Sequence, residues 1–166
     1  ENVDEFCLQM MRDYQEKPFK NVSQGDLNIE SEEEKKELEK KEEENKDLLW
    51  LLKEALKEKA EDVKISSRLK SHPVCLSSSE GVSMEMEKVL NAMPNGEGVK
   101  AGKILEINPN HQIFEALQVV FNKDKEKIND YASLLYDQAL LIEGFTIEDP
   151  VSFSNKICDL MIELNK

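Results

Sequence analysis

The sequence predicts a helix-dominant α+β fold, with a small three-stranded sheet among amphipathic helices and a helical hairpin at the carboxyl end. Apolar residues recur at helical spacing in several segments, and the short segments between them alternate at period two. Charged residues make up 34% of the 166 residues and hydrophobic residues only 39%. These fractions predict one moderate core with long solvated segments.

Three regions follow one another along the chain. Residues 1–29 are predicted to be the end of a preceding domain, because a short helical pattern over 4–14 is too small to fold alone. An extended stretch and a turn, at 19–22 and 25–26, follow it. Residues 30–46 hold nine Glu and five Lys, with acids placed four residues before bases, which favours a solvated helical linker. Its one apolar residue, Leu38, predicts no attachment to a core.

The third region, 47–166, contains the predicted core. A leucine-rich stripe over 48–56 predicts an amphipathic helix. Alternating residues over 63–69, a continuation over 73–77, and a third apolar segment at 103–107 predict the three strands. Asn108 and Pro109 then predict a helix start, as N-cap and first helical residue, with His111 helping to fix it.

The carboxyl end, from about 128 to 164, is predicted to be two helices with more apolar surface than a small domain can hide. Gly144 ends the first helix, and Asp149 with Pro150 begins the second. A terminal hairpin of this kind usually packs against a partner, and the simplest is a second copy, giving a four-helix bundle across a two-fold axis. The predicted interface residues are Leu134, Leu135, Ala139, Leu140, Ile142, Phe153, Ile157, Leu160, Met161 and Leu164.

A Met-containing helix is predicted over 82–93, with an apolar stripe at i, i+4, i+7, i+8 and i+11. The stripe residues are Val82, Met86, Val89, Leu90 and Met93. Periodicity alone favours a stripe packed into the core. The alternative is an exposed surface that adapts to partners, since the unbranched Met side chain conforms to many shapes.

Composition disfavours several classes of function. A net charge of −13 disfavours nucleic acid and anionic membranes as partners, and no apolar run approaches the length of a membrane span. Cys7, Cys75 and Cys158 are predicted to be buried, reduced thiols without a zinc site. No phosphate loop or nucleophile elbow is found, so no catalytic, cofactor or metal residues are expected, and a hydrolase is a distant alternative.

The chain resembles the C-terminal region of the ninety-kilodalton heat-shock chaperones, and most of all their bacterial HtpG branch. The resemblance covers essentially the whole chain. It is carried by the segments DEF at 4–6, SRL at 67–69, GVSMEMEKVL at 81–90, EINPNH at 106–111 and LLYDQALL at 134–141, followed by Gly144 and Asp149-Pro150.

The resemblance implies a constitutive, cytoplasmic homodimer whose stripe at 82–93 contacts unfolded or partly folded client proteins. It also implies that the ATP and magnesium sites lie in upstream domains, so that this region is not itself an enzyme and holds no cofactor. Residues 163–166 do not match the acidic tail of the eukaryotic cytosolic branch, so docking of tetratricopeptide co-chaperones is not expected. The competing interpretation is a purely structural helical adaptor without client contact.

Overall fold

The computed structural model describes residues 4–11, 13–19, 31–79, 81–94 and 98–163. The helices are α1 (Asp4–Met11), α2 (Glu32–Glu44), α3 (Lys46–Ala55), α4 (Met84–Ala92), α5 (Gln112–Lys123), α6 (Ile128–Ile142) and α7 (Pro150–Glu163). The strands are β1 (Asp13–Tyr14), β2 (Lys17–Pro18), β3 (Asp62–Ile65), β4 (Val74–Ser78) and β5 (Lys103–Ile107). The fold is helix-dominant with one two-stranded and one three-stranded sheet, which is compatible with the α+β prediction.

The first described segment is a short helix followed by a hairpin. The helix predicted over 4–14 is confirmed up to Met11, whereas Tyr14 pairs with Lys17 in the β1–β2 hairpin, which was not predicted. Gln15 and Glu16 form its turn with φ of 51° and 63°. Most of the predicted extended stretch and the turn at 25–26 lie outside the described residues.

The charged segment forms a helix as predicted, but it is attached to the core. A capping box begins α2, since the Glu34 N–H donates to Ser31 Oγ at 3.2 Å and Ser31 N–H donates to Glu34 Oε2 at 2.8 Å. Leu38 packs against the core, and Lys41 Nζ donates to Asn110 Oδ1 at 3.1 Å. The prediction that nothing holds this segment was therefore wrong.

Three strands are found at the predicted places and form one sheet in the order β3-β5-β4, although the first ends at Ile65 and does not extend to 69 as predicted. β3 runs parallel to the central β5, and β4 runs antiparallel to it. The register aligns Val63 and Leu76 with Leu105, and all three side chains are buried. This alignment gives the sheet an apolar face against which the helices pack.

The core lies among this sheet, α3, α5 and α6, and the amphipathic helix predicted from the leucine stripe is α3. The side chains of Leu52, Leu105, Leu117 and Ile128 are completely buried. The fully buried Asn108 is not the predicted N-cap, because its Nδ2 donates to the His72 carbonyl at 3.0 Å and so ties β5 to the loop before β4. His111 is the N-cap of α5 instead.

Local signals correctly predict both hairpin boundaries. Gly144 has a φ of +77°, which a residue without Cβ adopts easily. The Gly144 N–H donates to the Leu141 carbonyl, and the Phe145 N–H donates to the Leu140 carbonyl. This is the Schellman pattern that ends a helix. Asp149 then caps α7, as its Oδ1 accepts from the Ser152 N–H at 2.9 Å. Within the described ranges, no helix combines the length and apolar character needed to cross a bilayer.

Candidate functional site

The α6–α7 hairpin presents an apolar surface that the described part of the chain does not cover. No residue of α7, which is described throughout, is buried. Two ion pairs between side chains join it to α6 and the turn before it, Lys127 to Glu163 at 2.6 Å and Lys156 to Asp130 at 3.4 Å. The large apolar side chains that stay at least half exposed on the hairpin are Leu141, Ile142, Val151, Met161 and Ile162.

A groove of about 420 Å³ runs between the two helices of the hairpin. Its apolar lining comes from Tyr131, Leu134, Val151 and Leu160, and charged side chains surround it. The hydrogen bond from Lys127 to Glu163 raises the pKa of the lysine at one edge. A groove with apolar residues inside and charges around it is typical of a protein interface.

The structure separates the predicted interface residues into three groups. Ile142 and Met161 are exposed, and Leu134, Phe153, Ile157 and Leu160 are half-buried. Leu135, Ala139 and Leu140 are buried in the core of the same chain, at 5%, 0% and 7% exposure. Leu164 lies outside the described residues.

The burial of Leu135, Ala139 and Leu140 contradicts their prediction as interface residues of α6. Leu135 and Ala139 lie on the α6 face that also carries Ile128 and Ala132, all of them buried by the chain's own core. Residues on that face have little surface left for a partner. The sequence could not separate this face from the outer one because α6 is apolar on both. The predicted interface also omits Leu141, Val151 and Ile162, which are exposed apolar residues of the hairpin.

The second candidate surface is α4. Its N-cap is Ser83, whose Oγ accepts from the Met86 N–H at 3.1 Å. Met84 and Glu87 are its buried residues, whereas Met93 just beyond the helix is 49% exposed. The other members of the predicted stripe, namely Val82, Met86, Val89 and Leu90, are half-buried. The helix is therefore rotated from the orientation that periodicity alone favoured, and its stripe is partly accessible.

A buried ion pair explains this rotation. Glu87 Oε2 lies 2.5 Å from Lys103 Nζ of β5 and accepts from the Ala101 N–H at 2.8 Å. Glu87 is not a member of the predicted stripe, and a carboxylate off the apolar stripe of an amphipathic helix is usually exposed. Only the position of Lys103 on the central strand reveals the pair.

A second buried carboxylate, Glu106, lies on the same strand. It accepts from Arg68 Nη2 at 2.7 Å and from Ser66 Oγ at 2.8 Å, so it is fully paired and fixes the loop after β3. Burial raises the pKa of the neighbouring Cys75 thiol to about 11, and the negative charge of Glu106 adds to the effect. A satisfied carboxylate and a protonated thiol are suited to structure rather than to acid–base chemistry.

The remaining chemical predictions have mixed outcomes. Cys75 is half-buried, but Cys7 and Cys158 are exposed, so the prediction of three buried thiols was wrong for two. His111 fixes the start of α5 as predicted, with Nδ1 accepting from the Ile113 N–H at 3.1 Å. Among the described residues, no three His, Cys, Asp or Glu side chains are grouped as metal ligands.

Comparison with known proteins adds a family relationship. The family model described as "Hsp90 protein" matches residues 1–165. The chain is 54% identical over 162 residues to the chaperone protein HtpG of Bacillus subtilis, covering 98% of this chain and 26% of the relative. It is 59% identical over 161 residues to that of Clostridium perfringens, covering 97% and 25%. The chain thus spans about a quarter of the length of these curated relatives.

Proposed function

The chain belongs to the Hsp90 family of chaperones, in its bacterial HtpG branch, and from this membership we propose that it is the dimerisation and client-contact region of such a chaperone. In this proposal, residues 1–29 end a preceding middle domain, residues 30–46 connect it to the rest of the chain, and residues 47–166 form the dimerisation domain, against whose core Leu38 packs. The whole protein is then a cytoplasmic ATPase whose nucleotide and magnesium sites lie upstream, and this region has no catalytic role.

The mechanism proposed for this region is mechanical. Lasting contact between two copies holds their upstream domains close together. Their transient closure then becomes an intramolecular event, at an effective concentration far above that of free protomers. The region thus contributes proximity, while nucleotide chemistry elsewhere supplies the energy.

The observation that carries the dimer proposal is the uncovered apolar surface of the α6–α7 hairpin. Met161 and Ile162 are 60% and 55% exposed on a helix that buries no residue of its own. Apolar area of this kind on a terminal hairpin is stabilised by a second hairpin, and a two-fold axis gives the same contact to both copies. The four helices then form the proposed bundle.

Met161→Glu tests the dimer. A carboxylate placed in an apolar interface in both copies is expected to raise the dissociation constant at least about 100-fold, since desolvation is unfavourable twice. The assay is sedimentation velocity over a wide dilution series. Val119→Glu is the matched control, because Val119 is also well exposed, at 64%, but lies on α5. A parent chain that is monomeric throughout the series contradicts the proposal.

The proposal for client contact depends on α4. Its stripe residues are half-buried to exposed, and two of them are Met, so the surface can conform to different apolar sequences. The partial burial of Val82, Met86, Val89 and Leu90 favours the alternative of a structural module without client contact, since a docked stripe offers less area.

Met86→Ala combined with Leu90→Ala distinguishes these two functions. In the whole chaperone, we expect weaker suppression of client aggregation and unchanged dimerisation. Val119→Ala on α5 controls for the loss of exposed apolar area. Suppression equal to that of the parent supports the structural module and rejects the client role of α4.

A further inference from the structure

Lys103 of β5 is shared between α4 and the residue that follows α6. On one side, its Nζ pairs with Glu87 of α4. On the other side, the same Nζ lies 4.8 Å from the centre of the Phe145 ring. A cation at this distance from an aromatic face is attracted by the negative charge density of the ring. One buried lysine therefore contacts two elements that lie far apart in sequence.

Phe145 is fixed relative to α6. It follows Gly144 in the Schellman turn, where its N–H donates to the Leu140 carbonyl at 2.9 Å. Leu140 belongs to the core, so this hydrogen bond holds the Phe145 backbone next to the buried part of α6. Residues 146–149 then lead directly into α7. A shift of Phe145 consequently moves the start of the connection that positions α7.

A second lysine completes the contact from the side of α4. Lys88 Nζ lies 4.9 Å from the centre of the same Phe145 ring. Two adjacent residues of α4 are thus connected to the Phe145 ring. Lys88 contacts the ring directly, and Glu87 is connected to it through Lys103. Movement of α4 away from the sheet would break both contacts and separate the Lys103 ammonium from the Glu87 carboxylate.

We propose that Glu87, Lys88, Lys103 and Phe145 form a clamp that couples the position of α4 to the α6–α7 connection. This rests on the proposed function, which makes α4 the client surface and the hairpin the dimer surface. An apolar ligand that draws α4 outward opens the clamp and loosens the end of α6. By reciprocity of linked equilibria, pairing of two hairpins holds α4 in its docked position.

Amide hydrogen exchange of the full chain tests the clamp. A substitution in one of the two coupled elements should change exchange in the other. Lys88→Gln on α4 is expected to speed exchange in residues 143–149 by about fivefold, the lower end of typical coupling between sites. Phe145→Leu, which keeps an apolar side chain but removes the ring, is expected to do the same within α4. The double variant should add little to Phe145→Leu alone, since removal of the ring already breaks the contact that Lys88→Gln breaks.

Lys125→Gln is the matched control, because Lys125 Nζ lies 4.4 Å from the Phe121 ring outside the clamp. It should leave exchange in α4 and in residues 143–149 unchanged. Circular dichroism establishes that each variant is folded. Unchanged exchange in residues 143–149 of folded Lys88→Gln overturns the proposal.

The same variants separate the clamp from the proposed function. Exchange effects that cross the clamp in a chain that neither dimerises nor suppresses aggregation support the clamp and contradict the proposed function. Normal dimerisation and aggregation suppression without those exchange effects support the function and reject the clamp.

Discussion

Replacing Lys103 with Met removes the cation of a buried ion pair and leaves the Glu87 carboxylate behind. The two residues are 8% and 7% exposed, so water cannot take the place of the lost partner. Met is unbranched and similar in length to the apolar part of Lys, so the substitution leaves little empty space. Its effect therefore reports on charge rather than on packing.

The geometry sets the expected magnitude. Removing one partner of a buried pair costs about 3–5 kcal/mol. Because the Ala101 N–H still donates to Glu87 at 2.8 Å, we expect the lower end of that range, roughly 3 kcal/mol. Loss of the cation near Phe145 adds about 1–2 kcal/mol, because Lys103 is buried. The free energy of unfolding should fall by about 4–5 kcal/mol in all.

The double variant Glu87→Met with Lys103→Met should be more stable than Lys103→Met alone. It removes both charges and leaves one buried donor, the Ala101 N–H, unpaired at a cost of about 1–3 kcal/mol. Two buried apolar side chains offset part of this cost. We expect the free energy of unfolding of the double variant to exceed that of Lys103→Met by about 2 kcal/mol.

Urea unfolding followed by circular dichroism, at one fixed protomer concentration, measures these differences. Lys53→Met is the control, since Lys53 pairs with Asp62 at 2.9 Å while both side chains are about half exposed. Its effect should stay below about 1 kcal/mol. Equal losses in Lys53→Met and Lys103→Met, or a double variant less stable than Lys103→Met, would refute the reasoning.

Three further outcomes are expected. Burial raises the pKa of Tyr136 from 10.0 to about 12, so the folded state keeps the phenol proton to a higher pH than the unfolded state does. The free energy of unfolding should therefore fall between about pH 10 and 12. Tyr136→Phe should lessen that fall when unfolding is measured as a function of pH. Asp149→Ala should cost about 1 kcal/mol and speed amide exchange in the first turn of α7, whereas Asp149→Asn, which keeps a capping oxygen, should be near the parent. Because its pKa is about 11, Cys75 should react with iodoacetamide much more slowly than the exposed Cys7 at pH 8, as followed by mass spectrometry; equal rates would contradict this assignment.

Local signals fixed the elements of this fold. Gly144 ended α6 and Asp149 began α7 because turn and cap chemistry depends on a few neighbouring atoms. The strand at 103–107 was predicted with its observed bounds, since the strand propensity of its residues needs no partner to be read. The same local reasoning wrongly placed the N-cap of α5 at Asn108, because the Asn108 side chain instead donates a long-range hydrogen bond to the His72 carbonyl.

The candidate surfaces could be predicted only in part. The sequence showed that α6 and α7 carry surplus apolar area, yet it could not show that Leu135 faces the chain's own core and Met161 faces outward. That distinction depends on how α6 is rotated against the sheet. On a helix that is apolar on two faces, the residue pattern does not determine this rotation.

Apart from the β1–β2 hairpin, the sequence by itself determined the types and order of the described helices and strands, and the family. Spacing, capping residues and motif identity are properties of neighbouring residues. Tertiary structure decided which side of α4 is buried, through a carboxylate and a lysine 16 positions apart that meet only when β5 lies beneath the helix. It also placed Phe145 beside both lysines. The chain has 57 acidic and basic residues. A pair of opposite charges among them determines the position of a helix only where burial removes the competing water.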